Sequence, residues 1–360
     1  MDRIATLKKL DSIIGRLFIR CLPRPRAALF HKASKILIVR PGGIGDAVHL
    51  VPAIQILQYH FSGIAIDLLA ERRNTGAFAL CPGIRRVYLY DHPGQLLRVL
   101  GNHYDVVIDS EQWHRLSAVV ARLVRSPVKI GYTTNERARL FTHVVPYSHD
   151  DYEVASFLHL LEPLGLAGSA TPEDAWLRVP PVARQVVSSI LAEVSNRPFI
   201  ALFPGASIAE RRWGAENFRA VAQWCGERGL GVVVVGGGGE RDEAARIAGG
   251  LEHVLDLAGR TSLTETAAIL ERAAVVVSGD SGILHIAVGL GRPMVSLFGP
   301  GIATKWAPRG SQHVVLNKCL PCSPCTRFGY TPFCPHDNRC MCEITVDDVT
   351  RAIDALLHES

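Results

Sequence analysis

ILIVRPGGIGDAVHLVP occupies residues 36–52. Ile36, Leu37, Ile38 and Val39, closed by Arg40, form a short apolar run, the pattern of a parallel strand buried on both faces. Pro41-Gly42-Gly43-Ile44-Gly45 turns the chain, and the spacing predicts a helix that opens at Asp46 and runs to about His60. The Asp46 carboxylate then lies where unpaired N–H groups and the positive end of the helix dipole favour an anion. The carboxyl end of a first strand is also where open α/β sheets place their ligand crevice. Asp46 is therefore read as the reactive base of an enzyme; the plainer alternative is a helix cap and nothing more.

Outward from this stretch, strand and helix signals alternate as a doubly wound sheet requires. Apolar runs at 64–69, 87–90, 106–109 and 128–131 predict further strands, with helical patterns at 95–100, 115–124 and 152–164. The alternation restarts with a helix at 182–194 and strands at 199–203, 231–235, 274–278 and 294–298. The expected architecture is α/β, with two domains of similar size separated by a cleft. Residues 35–180 make the first, ending in a linker at 176–181; residues 181–342 make the second, and 343–360 a terminal helix.

At 360 residues the chain is too long for one ordinary core. Its net charge of +5 is unevenly placed: residues 1–35 hold nine Lys and Arg against two Asp, so the remainder is slightly acidic. A nucleic-acid binder spreads basic charge over its folded faces, so no nucleic-acid partner is expected. Charged residues interrupt every apolar run of the segment, unlike a secretory signal. No stretch approaches the roughly 18–20 apolar residues of a membrane span. Ile4, Leu7, Leu10, Ile13, Ile14, Leu17 and Phe18 recur near helical spacing with basic residues between them. Residues 1–34 thus read as a basic amphipathic arm suited to an anionic membrane surface, against a helix docked on the protein or a disordered arm.

Two motifs in the second half carry phosphate chemistry. Gly279-Asp280-Ser281-Gly282, with His285 one turn on, follows a buried strand and leads straight into a helix. The N–H groups at that helix start suit a diphosphate, and Asp280 suits ribose hydroxyls or the turn itself. Pro204-Gly205-Ala206-Ser207 ends another strand and is followed by Arg211-Arg212-Trp213. Two adjacent guanidiniums fit a phosphate through paired N–H bonds. The bland readings are a capped helix with a satisfied histidine, and a solvated charge pair. Gly236–Gly239 lacks the Lys-Ser/Thr of a P-loop, and neither it nor Gly42–Gly45 completes a dinucleotide fingerprint. A tight strand–helix turn explains it.

RPGGIGDAVHLVPAI, FPGASIAERRW, GGGGERD and SGDSGILHIAVGLGRPMVSLFGP, in this order, resemble the lipopolysaccharide heptosyltransferases of glycosyltransferase family 9 over about residues 35–350. The resemblance implies a GT-B fold, two Rossmann-like domains with the acceptor site in the first and the nucleotide-sugar site in the second. It makes Asp46 the general base, with Gly43 and Gly45 in the acceptor-side loop. Arg211, at a position where the family usually has Lys, contacts donor phosphate, and Asp280 and Gly282 hold the nucleotide. From their places in the two motifs, Ser207, Arg212, Ser281 and His285 are expected to border the same donor site.

Inverting glycosyl transfer needs a base at the acceptor hydroxyl and stabilisation of a departing nucleoside diphosphate. Asp46 offers the first; Arg211, Arg212 and the helix start at Ser281 offer the second. No Asp-x-Asp element stands at a strand end, so a metal-independent reaction with no cofactor is expected. The expected donor is an ADP-sugar, ADP-heptose first, and the acceptor a lipopolysaccharide-core or related lipid-linked saccharide. The expected location is cytoplasmic, peripheral on the inner membrane. The alternatives are a nucleotide-sugar epimerase of the same fold and a non-catalytic nucleotide-binding or metal-sensing protein.

Cys319, Cys322, Cys325, Cys334, Cys340 and Cys342 crowd the loop 319–342. Their spacing suits a structural Zn²⁺ or an iron–sulfur cluster, while a reducing compartment favours free thiols over disulfides. All three states stay open, and none is assigned to catalysis.

Overall fold

β1 (Lys35–Arg40) lies at the centre of a parallel sheet, paired on one side with β2 (Ala65–Ala70) and on the other with β4 (Val106–Asp109). Ile36, Leu37, Ile38 and Val39 are buried, as a strand covered on both faces demands. With β3 (Ile84–Leu89), β5 (Val128–Tyr132) and β6 (His143–Val145) the order is β3-β2-β1-β4-β5-β6. The direction of growth reverses between β1 and β4, which makes the carboxyl ends of those two strands the switch point where such sheets bind ligands. The computed structural model describes residues 11–26, 29–30, 32–168, 175–193, 197–327 and 330–358. The chain divides into two units, residues 1–172 and 173–360.

The second unit repeats the plan. β7 (Phe199–Phe203), β8 (Gly231–Val234), β9 (Val254–Asp256), β10 (Val275–Gly279), β11 (Met294–Phe298) and β12 (His313–Asn317) are ordered β12-β11-β10-β7-β8-β9. Its switch point therefore lies between β7 and β10, where the two phosphate motifs begin. Ile200, Leu202, Val232, Val275, Val277 and Val295 form one core with the inward faces of the helices Ala215–Glu227 and Val346–His358. Val349, Ile353 and Leu356 bring the terminal helix into that core. Each such side chain stabilises the unit by roughly 1.5–3 kcal/mol relative to exposure.

Three differences from the sequence reading have physical causes. β6, β9 and β12 were not expected: they are short edge strands, largely half-buried, and lack the continuous apolar run that marks a central strand. The first helix is Ile44–His60 with Gly43 at its cap, so Asp46 is its third residue rather than its opening one. Trp176 and Leu177, expected in a linker, donate their N–H groups to Gly289 within the second unit.

The expected N-terminal arm also differs. Its apolar positions Ile4, Leu7 and Leu10 lie outside the described residues. From Asp11 onward it is docked on the first unit, as a π-helical turn Asp11–Gly15 and a helix Arg16–Cys21. Ile19 enters the core cluster with Leu37, Val39 and Tyr104. The Asp11 carboxylate accepts from Arg115 N at 2.9 Å and Leu116 N at 2.8 Å, capping the helix Arg115–Leu123. Burial alone would raise the Asp11 carboxyl, but a hydrogen bond from His114 and the two backbone N–H groups hold it below the ordinary range. A Cβ on Gly15 would lie 2.5 Å from Arg115 Cβ, so the close approach requires glycine there.

Candidate active site

In the first unit the turn after β1 places Asp46 on the first turn of the helix Ile44–His60, its side chain 23% exposed. Gly42 makes the turn with φ of +117°, a conformation that favours glycine. The turn after β4 supplies Ser110, Glu111 and Gln112, all buried. Gln112 Nε2 donates to Asp46 Oδ1 at 3.0 Å and to Glu153 Oε1 at 2.5 Å. Its Oε1 accepts from both terminal nitrogens of Arg40 at 3.3 Å, which fixes the amide orientation. Asp46 Oδ2 takes no hydrogen bond among the described residues. One carboxylate oxygen is thus anchored to Gln112 and the other is not.

Arg40 organises this cluster from the end of β1. Its guanidinium is fully buried and donates to Pro41 O at 2.6 Å, Ser110 O at 2.8 Å and Glu111 Oε2 at 2.8 Å, with Asp46 Oδ1 at 3.9 Å. Burial would raise the Glu111 carboxyl; Arg40 first, then His114 and Arg137, hold it below the usual range. Arg137 pairs with Asp109 at 2.5 Å, yet burial keeps Asp109 raised. Glu153, wholly buried, also accepts from Tyr147 Oη at 3.2 Å. Two carboxylates of different exposure share one amide donor: Asp46 faces outward, and Glu153 secures the donor from behind.

The sequence reading gives no site role to Gln112, Glu153, Arg40 or Tyr147. A signal existed for two of them. Arg40 closes the β1 run, and Glu111-Gln112 follows the apolar run of β4, at the other side of the switch point.

In the second unit Asp280 lies just beyond β10 and is buried. Arg211 Nη1 meets Asp280 Oδ2 at 2.8 Å, and His285 Nε2 lies 4.0 Å from Oδ1. Burial, then the positive charge of Arg211, push the His285 imidazole down to about 3, so it is neutral at physiological pH. Arg211 Nε is buried without a hydrogen-bond partner among the described residues. Ser281 caps the helix Gly282–Gly289, accepting from Leu284 N at 3.3 Å and bonding Ser278 Oγ at 2.8 Å. Glycine is needed at two contacts here. A Cβ on Gly279 would lie 2.9 Å from Arg211 O, and one on Gly301 would overlap Asp280 Oδ2.

Arg211, Asp280, Ser281, Gly282 and His285 thus come together. Arg212 and Ser207 do not join them as phosphate ligands in this arrangement. Arg212 donates to Ala206 O at 3.2 and 3.1 Å and pairs with Glu243 at 3.3 Å, bracing the loop on which Ser207 is exposed. The run Gly236–Gly239 accommodates Glu240, which accepts from Gly237 N at 2.8 Å. Lys305, absent from the sequence reading, is a buried lysine beside Trp306, whose ring packs 6.0 Å from that of His285.

The six cysteines of the loop 319–342 are free thiols. Cys325 N donates to Pro300 O at 3.1 Å, and Cys340 Sγ lies against Gly299. Burial, then neighbouring Cys325, Cys334 and Cys322, push the Cys340 thiol up to about 11. Among the described residues no three His, Cys, Asp or Glu side chains are grouped to hold a metal ion. The structural Zn²⁺ that the spacing allows has no assembled ligand set here.

Two Rossmann-like units, one presenting an anchored carboxylate and the other an arginine–aspartate pair at a capped helix start, define an α/β enzyme of the GT-B type. Solved structures share the fold. The Escherichia coli ADP-heptose lipopolysaccharide heptosyltransferase II aligns over 90% of this chain and 99% of its own, with a TM-score of 0.75 and 21% identity. A glycosyltransferase family 9 protein from Veillonella parvula aligns over 93% of this chain and 100% of its own, at 0.79 and 18%. Lipopolysaccharide heptosyltransferase 3 of Escherichia coli K12 is 27% identical over 292 residues, 73% of this chain and 82% of that protein. The family model for glycosyltransferase family 9 (heptosyltransferase) matches residues 94–331. The chain belongs to that family and is a glycosyltransferase.

Proposed function

We propose that the protein transfers heptose from ADP-heptose, with inversion and without a metal ion, to a lipopolysaccharide-core or related lipid-linked saccharide. The observation that carries this reading is the Asp46 carboxylate, pinned through Oδ1 by Gln112 while Oδ2 takes no hydrogen bond among the described residues. Oδ2 removes the proton of an acceptor hydroxyl as that oxygen bonds to the anomeric carbon. The bond from that carbon to the diphosphate breaks on the opposite face, and its electron pair leaves with the nucleoside diphosphate. Arg211, with the N–H groups at Gly282, takes up the developing phosphate charge. Neutral His285 and buried Asp280 hold the nucleotide side of that site.

The donor assignment is supported by a relative: the aligned Escherichia coli protein is an ADP-heptose lipopolysaccharide heptosyltransferase. The lipid-linked acceptor agrees with the described segment 11–26, where Ile13, Leu17 and Phe18 are exposed among arginines. This face fits peripheral attachment to an anionic membrane on the cytoplasmic side. No described helix is long and apolar enough to cross a membrane. Asp46→Asn tests the base: turnover should fall roughly 10²–10⁴-fold with ADP-heptose binding kept. Near-normal turnover would remove Asp46 from the chemistry. A melt screened against ADP-, GDP- and UDP-sugars tests the donor, since the tightest ligand raises the midpoint most.

A further inference from the structure

The docked N-terminal segment walls a cavity of about 630 Å³ against the stretch that follows β5. Arg16, Arg20, Arg24 and Arg139 line it, with Glu136 as the one acidic lining residue. Glu136 is already committed: it accepts from Arg115 at 2.8 Å and lies 3.7 Å from Arg16. Arg139 Nε is buried without a hydrogen-bond partner among the described residues, and Nη2 reaches Leu22 O only at 3.4 Å. Arg20 and Arg24 have no acidic side chain within ion-pair distance among the described residues. A pocket with surplus guanidiniums and an unsatisfied buried N–H calls for a compact polyvalent anion, which phosphate supplies.

The surroundings specify the carrier of that anion. On the same helical segment Ile13 is 71% exposed and Leu17 62%, four residues apart on one face. Phe18 is exposed beside them. A free phosphate or nucleotide has no use for such a face, whereas an amphiphile meets both features at once.

We propose that this cavity binds the headgroup phosphate of an anionic membrane lipid, with Ile13, Leu17 and Phe18 entering the acyl boundary beside it. The proposal rests on the peripheral-membrane reading above and sharpens it to one pocket. Arg20, Arg24 and Arg139 hold the phosphate oxygens, and Asp11, Gly15 and Ile19 fix the segment that carries two of these arginines.

The test is co-sedimentation of the full chain with vesicles of phosphatidylcholine alone or with phosphatidylglycerol added. Each surface cation contributes about a factor of five to such partitioning, so Arg20→Gln/Arg24→Gln/Arg139→Gln should weaken binding on the order of a hundredfold. Arg228→Gln/Arg246→Gln/Arg272→Gln removes the same charge from the other unit and should leave binding near wild type. Equal losses in the two triple variants would reduce the effect to net charge and overturn the pocket. Should Arg139→Gln unfold, Arg20→Gln/Arg24→Gln alters only exposed side chains and should still cost about twenty-fivefold. Wild-type binding unchanged by these variants but abolished by Leu17→Asp/Phe18→Asp would keep the membrane reading and refute the phosphate site. Absence of wild-type binding to phosphatidylglycerol vesicles would refute both.

Discussion

Replacing Gln112 by Met keeps the side-chain length and removes every polar contact of the amide. Asp46 loses a donor at 3.0 Å, Glu153 one at 2.5 Å, and Arg40 an acceptor at 3.3 Å. Hydrogen bonds to charged groups contribute about 1.5–3 kcal/mol each. The two carboxylates respond differently. Asp46 is partly exposed and regains water, so its loss is one of orientation rather than solvation. Glu153 is wholly buried and cannot replace the lost donor with water, so most of the stability cost, about 2–3 kcal/mol, falls there. If the anchor at Oδ1 is what aims Oδ2, its removal should lower kcat about ten- to hundredfold, at roughly 1.4 kcal/mol per tenfold. The assay is steady-state release of ADP from ADP-heptose with acceptor, run well below the melting midpoint, alongside calorimetry with ADP. ADP affinity should not change, because Arg211 and Asp280 belong to the other unit. A kcat within twofold of wild type in a folded variant would refute the anchoring role. A parallel fall in ADP affinity would point to general damage instead.

Two further outcomes follow from the second unit. Gly301→Ala puts a Cβ in overlap with Asp280 Oδ2, which must shift, so ADP affinity in calorimetry should drop about tenfold, and Asp280→Ala should weaken it likewise. Unchanged affinities would detach Asp280 from the nucleotide. Burial first, and Arg211 second, depress His285 to about 3, so between about pH 6.5 and pH 3 the unfolded chain binds a proton that the folded chain does not. Stability is therefore lost as pH falls through that window, by up to ~1.4 kcal/mol per unit. His285→Gln should flatten the fall in melting midpoint between pH 7 and pH 4; an unchanged slope would contradict a neutral buried imidazole.

The parts of this fold that are legible in the sequence are those whose signal is local. β1, β7, β10 and β11 are covered on both faces and so read as continuous apolar runs bounded by Gly and Pro. β9 and β12 are half-buried throughout, and such strands carry no period strong enough to distinguish them from loops. The same division holds at the site. Asp46 and Asp280 stand out because each follows a buried strand and a glycine turn. Gln112 and Glu153 do not, because their roles arise from contacts 66 and 41 residues apart in the chain. Arg212 shows the converse: adjacent to Arg211 in sequence, it is spent on the Ala206 carbonyl and Glu243, a choice made by loop geometry. The amphipathic pattern of the N-terminal segment is compatible with docking on protein or on membrane. Gly15 and Asp11 dock one face on protein, through partners roughly a hundred residues away, and leave Ile13, Leu17 and Phe18 exposed on the other.

Asp11 also bears on how this enzyme can be shortened. Its carboxylate occupies the two N–H groups that open the helix Arg115–Leu123, and that helix starts three residues after Gln112. Removing residues 1–30 would strip this helix of its cap at a cost of about 1 kcal/mol and loosen the loop from which Gln112 holds Asp46. A trimmed enzyme that is slow would then report a disturbed active-site loop, even in an assay with a soluble acceptor and no membrane present. Point substitutions within the segment separate attachment from catalysis; truncation confounds them.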